Sequence, residues 1–342
     1  MSRDRIRIAD PAAIDEAAAL LRDCALVAFP TETVFGLGAD AQCDEAVARI
    51  FAAKGRPAFN PLIVHVADWA TARQVGALPA PLLRAAEAFW PGPLTIVTAL
   101  VPGAPVCQRA TAGLSTVALR WPSHAVAQSL IRAAGVPVVA PSANRSGYVS
   151  AVTAAHVAED LGDRVAMILD DRQPSPVGVE STIVTLDPAR EGALIILRPG
   201  AVTAEALAAR TGFGVIKSCT ANTAAPRREG PQPSQPMAPG QLESHYAPGA
   251  EVRLEVLAPA ADEVLLWLGP APAPAGAAAT LVLSPEGDLT AAAHQLFVLL
   301  READAMCKAG HSNAQRIAVG PVPNTGLGVA INDRLRRAAA PR

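Results

Sequence analysis

Polar and basic side chains in this sequence recur where apolar runs stop. Thr31, Glu32 and Thr33 follow the run "ALVAF", and Lys54 and Arg56 follow the amphipathic stretch "DEAVARIFAA". Asn60 and His65 flank and enter "PLIVHV", Arg120 ends "TVALR", and Ser142 and Asn144 end "VPVVAPSAN". Ser181 and Thr182 open "STIVTL", and Arg198 ends "ALIILRPG". In open α/β sheets ligands sit outside strand ends, so segments of this kind can converge on one pocket. Four cations beside hydroxyls and an amide suit a polyanion with a hydrogen-bonding head. Taken singly, each residue has a plainer reading. His65 suits a core histidine, Arg120 an ordinary surface charge, Ser142 and Asn144 a local turn, and Gly36 and Gly38 positions needing positive φ. Together these segments favour a ligand.

Other chemistries lack their residues. There is no G-x-x-x-x-G-K-[ST] phosphate loop, since "AAKGRP" has Lys and Gly in the wrong order. Gly36-x-Gly38-x-x-Ala41 matches the dinucleotide fingerprint in form, but residues 58 to 61 read Ala-Phe-Asn-Pro, without the acidic ribose partner. No H-E-x-x-H or G-x-S-x-G occurs, and the 6 histidines are scattered. A formal charge of −2 argues against a large basic surface for nucleic acid. Cys24, Cys43, Cys107, Cys219 and Cys307 form no C-x-x-C pair and read as reduced core residues. The start "MSRDRIRIAD" has no apolar signal core and no long apolar run follows, which points to the cytoplasm.

The elements that must position these residues alternate between helical and strand patterns over residues 1–212. "DPAAIDEAAALLRDC" offers Asp10 as N-cap and Pro11 at the first helical position. Helical patterns recur at "DEAVARIFAAK", "PLLRAAEAFW" and "HAVAQSLIRAA", and strands at "PLIVHV", "LTIVTAL", "TVALR" and "VPVVA". "AMILD", "STIVTL" and "ALIILRPG" follow with little helix between them, which predicts a mixed sheet. Residues 213–249 are rich in proline and small polar residues and read as a linker. Residues 250–342, with "EVLLWLG", "ATLVLS", the helix around "LTAAAHQLFVLLREADAM", "RIAVG" and "GVAINDRLRRAAA", predict a smaller Rossmann-like α/β domain. Within it only "PNTGLG" stands out as a polar cluster.

"PTETVFGLG", "KGRPAFNPLIVHV", "WPGPLTIV", "TVALRWP", "APSANRSG", "GVESTIV", "LRPG" and "SHYAPG" occur together in one order. In that order and spacing the chain resembles the threonylcarbamoyl-AMP synthase family in its two-domain form. The resemblance implies a YrdC-like catalytic domain with an open twisted mixed sheet, a linker serving as an active-site lid, and a Rossmann-like C-terminal domain. It implies condensation of L-threonine, bicarbonate and ATP, carried with Mg²⁺, into threonylcarbamoyl-AMP and pyrophosphate. A downstream transferase then modifies the adenosine beside the anticodon, so contact with tRNA is weak or indirect, and no membrane is involved. By motif, Thr33, His65, Arg120, Ala140 and Ser181 are expected to hold threonine. Lys54, Arg56, Asn60, Thr116, Ser142, Asn144, Ser150, Arg198 and Tyr246 are expected to hold ATP, with Lys54 and Arg56 catalytic.

That chemistry needs positioned charge more than a nucleophilic side chain. "FPTETVFGLG" then reads as one wall of the threonine pocket, its glycines letting the backbone approach the ligand. Two departures stand out. Phe35 occupies a position where the family usually has Tyr, and Pro239-Gly240-Gln241-Leu242 lacks the lysine usual before His245-Tyr246. Two other classes compete: an RNA-binding module, disfavoured by the charge, and a carbamoyltransferase, disfavoured by the lack of accessory zinc-finger or kinase-like segments.

Overall fold

A computed structural model describes residues 5–190, 192–217, 238 and 244–341. Its first part runs β1 (Ile6–Ile8), α1 (Pro11–Arg22), β2 (Val27–Phe29), β3 (Gly36–Asp40), α2 (Asp44–Lys54), β4 (Ile63–His65), α3 (Trp69–Val75), α4 (Ala80–Phe89) and β5 (Leu94–Ala99). It continues through β6 (Thr116–Arg120), α5 (Ala125–Ala134), β7 (Val138–Val139), α6 (Ala154–Leu161), β8 (Met167–Asp170), β9 (Thr182–Leu186), β10 (Leu194–Arg198), α7 (Ala204–Thr211) and β11 (Val215–Lys217). These strands form one sheet in the order β1-β8-β2-β3-β7-β4-β6-β5-β9-β10-β11. It is mixed, with β4–β6 and β5–β9 parallel and β4–β7 and β5–β6 antiparallel.

The second part holds β12 (Glu251–Arg253), β13 (Glu263–Leu268), β14 (Ala279–Ser284), α8 (Leu289–Lys308), β15 (Arg316–Val319) and α9 (Gly328–Ala338). Its four strands pair in parallel in the order β12-β15-β13-β14. The large mixed sheet and the small parallel one are those the sequence pattern predicts. The patterns that predict them miss β1, β3, β11 and β12, each five residues or shorter.

Local chemistry sets the ends that matter. Asp10 caps α1 by accepting from Ala13 N, with Pro11 at the first helical position. α2 stops at Gly55, whose φ of 64° turns the chain back so that Arg56 N reaches Phe51 O. That one turn places Lys54 and Arg56 on either side of the helix end. Cys24 and Cys43, expected as reduced thiols, are joined by a disulfide, because the chain after α1 and the N-cap of α2 lie side by side with Cα atoms 6.3 Å apart.

The sheet has two unlike faces. On one, Val64, Ile96, Leu119, Val139 and Val184 pack with Val47, Ile50, Leu82, Ala85 and Val157 from α2, α4 and α6. On the other, Val27, Phe29, Val138 and Leu169 pack with Ala17, Leu21, Leu130 and Ile131 from α1 and α5. Beyond α1 and α5 this second face carries polar residues instead. Pairing register aligns Val138, His65, Arg120, Thr95, Ile183 and Arg198 in one row across β7, β4, β6, β5, β9 and β10. Ile183 of the row and the neighbouring positions Ile63, Ala118 and Val97 make an apolar floor on which Ala238 sits fully buried.

Gly36 and Gly38 make room for packing. A Cβ on Gly38 would lie 2.8 Å from Phe29 Cε1 and 3.1 Å from Val27 O, and one on Gly36 would lie 3.2 Å from Ala140 Cβ. The missing side chains make room for the Phe29 ring beneath α1 and α5. Gly38→Ala is expected to lower stability by about 1–3 kcal/mol through overpacking, which thermal unfolding of the full chain would register as a clear drop in midpoint.

Candidate functional site

The row across the sheet begins with a buried charge pair. Arg120 Nη2 lies 2.9 Å from Glu32 Oε1, and both side chains are more than nine-tenths buried. β6 delivers Arg120 at its last residue. The loop after β2 delivers Glu32, whose carbonyl accepts from Val177 N at 2.8 Å. In the same loop the Thr31 and Thr33 hydroxyls are 2.9 Å apart, and Thr31 donates to Val34 O. This tight turn fixes which way Glu32 points.

His65 stands beside Arg120 in register. Its Nδ1 is 3.2 Å from Ile63 O, so Nδ1 donates and Nε2 is left as an acceptor. Burial, and then the Arg120 charge, lower its pKa from 6.5 to about 3, so the ring is neutral at physiological pH. On the far side of Arg120, Thr95 and Ser181 share a hydroxyl contact of 2.7 Å, and Arg198 Nη2 donates to Ser181 O at 2.8 Å. Ala140, the residue after β7, borders the row, its N–H donating to Ile63 O.

Next to this row lies a cluster of buried cations. Lys54 Nζ donates to Ser142 O at 2.6 Å and Asn144 O at 2.5 Å, while Arg56 donates to Pro61 O at 2.9 Å. All three of Lys54, Arg56 and Arg198 have lowered pKa values, first through burial; Arg56 comes down to about 10. The like charges of Lys54 and Arg56, and of Arg56 and Arg198, push in the same direction. Desolvated like charges at close quarters are unfavourable unless an anion joins them. His245 is likewise held neutral by burial and by these cations, and Tyr246 stands beside it with ring centroids 4.0 Å apart.

The second part of the chain supplies the far wall. Arg334 of α9 is fully buried; it donates to Glu180 Oε2 at 2.7 Å and to Pro199 O at 2.9 Å, and lies 5.1 Å over the Tyr246 ring. Glu180 also accepts from Ser150 Oγ at 2.6 Å. Burial alone would raise the Glu180 pKa, but Arg334 and Arg198 hold it below the usual carboxylate value. Arg301 of α8 donates to Asp160 Oδ2 at 2.5 Å and to the carbonyls of Val149 and Ser150. Tyr246 stacks on Phe297 of α8, its ring centroid 5.6 Å away.

Most of the residues singled out from the sequence thus share one face and one end of the sheet. Thr116 stands apart: four residues from Arg120, it is about 13 Å away along β6 at roughly 3.3 Å per residue. It lines a groove of ≈ 500 Å³ with Val97, Ala99, Thr185 and Leu186. Asn144 spends its amide on the carbonyls of Arg145 and Tyr148, so it holds the turn. Phe35 points into the opposite core, where a tyrosine hydroxyl would meet no ligand from the polar face. Pro239, Gly240, Gln241 and Leu242 lie outside the described residues. Glu180, Arg301 and Arg334 escape the sequence reading because they resemble ordinary charges of a loop and two amphipathic helices. The sequence signal was weak but present in "GVAINDRLRRAAA", where Arg334 falls on the apolar stripe of Ile331 and Leu335.

Comparison with known proteins decides the family. A profile described as "Telomere recombination" matches residues 19–200, and one described as "Threonylcarbamoyl-AMP synthase, C-terminal domain" matches residues 202–340. Threonylcarbamoyl-AMP synthase of Bacillus subtilis is 43% identical over 253 residues, covering 73% of this chain and 68% of the relative. The chain belongs to the threonylcarbamoyl-AMP synthase family. A crystal structure of Pyrococcus abyssi Sua5 complexed with L-threonine superposes with a TM-score of 0.81 at 34% identity, covering 98% of this chain and 96% of that one. The synthase is a transferase that consumes ATP to form threonylcarbamoyl-AMP for N6-threonylcarbamoyladenosine in tRNA, chemistry that suits the cation cluster beside a polar row. Enzymes of this ATP-dependent kind use a divalent metal ion. No described helix of the synthase is long and apolar enough to cross a membrane.

Two outcomes follow from the buried charges. Below pH 6.5 the unfolded chain protonates His65 while the fold resists until about pH 3, so stability is present at neutral pH and falls across that window. Unfolding midpoints at pH 7.5 and 5 should differ less in His65→Gln, with His156 (pKa lowered to about 4) and His245 leaving a residual slope. Arg334→Met strands Glu180 and should cost about 3–5 kcal/mol in denaturant unfolding, part of which Glu180→Gln in the same chain restores.

Proposed function

We propose that threonine lies along the row, contacting Thr33, His65, Arg120, Ala140 and Ser181. ATP lies across the cation cluster, contacting Lys54, Arg56, Asn60, Ser142, Ser150, Arg198 and Tyr246, while Thr116, far down β6, and Asn144, which holds the turn, fall outside this contact set. The observation that carries this reading is the burial of Lys54, Arg56 and Arg198 beside the Arg120 row. Three desolvated cations suit a triphosphate, and the Arg120 guanidinium flanked by a neutral imidazole and hydroxyls suits a hydroxy amino acid. The neutral Nε2 of His65 accepts the threonine hydroxyl, so valine leaves a buried acceptor unpaired and is rejected more strongly than serine, which loses only a methyl.

Threonine's amine attacks bicarbonate, and an oxygen of the resulting carbamate attacks the α-phosphate of ATP. Pyrophosphate leaves against Lys54, Arg56 and Arg198, which are placed before the reaction begins and so stabilise charge as it develops. The divalent ion is magnesium, arriving on the ATP phosphates. No covalent link to the protein is needed.

Residues 1–217 form the catalytic unit, because β11 of the expected linker joins its sheet as an edge strand. Residues 250–342 form a supporting unit, and the segment between, of which residues 218–237 and 239–243 lie outside the described residues, acts as a lid. Ala238 seated on the sheet floor and Tyr246 wedged between Phe297 and Arg334 support that division. A lid protects a labile adenylate from water. The product passes to a separate transferase in the cytoplasm, and the chain meets tRNA only indirectly.

Pyrophosphate release from ATP should require both threonine and bicarbonate, need no tRNA, and coincide with the threonylcarbamoyl-AMP mass. Lys54→Met should lower kcat by about 100-fold or more, and Arg120→Lys should act chiefly on the KM for threonine. ATP left intact in every complete mixture would overturn the assignment.

A further inference from the structure

Arg120 and Glu32 are both charged and both buried, yet they use little of their hydrogen-bonding capacity. Among the described residues, neither Glu32 oxygen receives a hydrogen bond, and Arg120 Nε and Nη2 donate none. The 2.9 Å contact between them is an ion pair without hydrogen-bond alignment. A pair kept for stability would be expected to satisfy these groups, because desolvating two ions is repaid only by good geometry and further bonds. Threonine is a zwitterion whose carboxylate and ammonium sit on one carbon. A guanidinium and a carboxylate side by side form the complementary pattern of opposite charges.

From this we propose that Glu32 is the threonine ammonium site and the first proton acceptor of the reaction. The proposal rests on the reading that threonine occupies the row. Arg120 takes the carboxylate while Glu32 accepts hydrogen bonds from the ammonium. One proton passes from R–NH3⁺ to the Glu32 carboxylate, leaving R–NH2 with a free electron pair. That pair forms the N–C bond to bicarbonate, the C–OH bond breaks, and hydroxide leaves as water with a proton from the amine, giving R–NH–COO⁻. Glu32 returns its proton to solvent after product release. The backbone anchor to Val177 and the Thr31–Thr33 turn keep the carboxylate aimed at the row, so Glu32 needs no rearrangement to act.

A purely structural partner of Arg120 would behave differently, and one ligand pair separates the two. Calorimetry on the full chain measures binding of L-threonine and of 2,3-dihydroxybutyrate, in which a hydroxyl replaces the amine. The unsubstituted protein should prefer threonine by about tenfold or more, the scale of a hydrogen bond between charged groups. Glu32→Gln should bring that ratio to within about twofold of one and cut turnover at saturating threonine, whereas Glu32→Asp should keep part of both. Equal weakening of the two ligands in Glu32→Gln, with the preference for threonine intact, would overturn the role given to Glu32. If threonine fails to bind the unsubstituted protein at all, the threonine assignment of the row fails first. Matching unfolding midpoints for the Gln and Asp variants exclude misfolding as the cause.

Discussion

Desolvation of like charge is the constraint around which this molecule is arranged. Lys54, Arg56 and Arg198 are brought from the end of a helix and the end of a strand into one buried corner, where each lowers the tolerance for the next. Backbone carbonyls of Ser142, Asn144, Pro61 and Ser181 neutralise part of this cost, and none of them is an anion. Such a corner is poised for a phosphate chain because the protein supplies donors there and withholds carboxylates.

The carboxylates stand one step back. Glu180 reaches Arg334 and Ser150, and Asp160 reaches Arg301, so these two carboxylates of the first part of the chain are tied to cations of the second. The second part therefore has a physical task beyond its own parallel sheet. It braces the loop that carries Ser150 and backs the ring of Tyr246 with Phe297 and Arg334. Removing it would take the Arg334 and Arg301 partners from Glu180 and Asp160.

The polar row depends on a different device. A mixed sheet puts β4, β6, β5, β9 and β10 in register so that residues distant in sequence share one face and one level. α1 and α5 cover that face only as far as Val138, and the glycines of β3 make room for the Phe29 ring beneath them. Covering half a face leaves the other half for chemistry.

The sequence by itself determined the alternation of elements, the strand-end placement of Lys54, Arg56, Arg120 and Arg198, and the family. Each of these is written in local patterns: apolar periods, a capping aspartate, or a motif in fixed order. Short strands such as β3 escaped because three to five residues with two glycines carry no period, and the place of Phe35 in the opposite core was not legible because alternation alone does not say which face is wet. Only the tertiary structure decided that Glu32 faces Arg120, that Thr116 lies far down β6, and that Arg334 is a buried partner of Glu180. Those facts depend on strand register and on the docking of two α/β units, and a charge on an amphipathic helix reads the same whether its neighbour is water or a carboxylate 154 residues away.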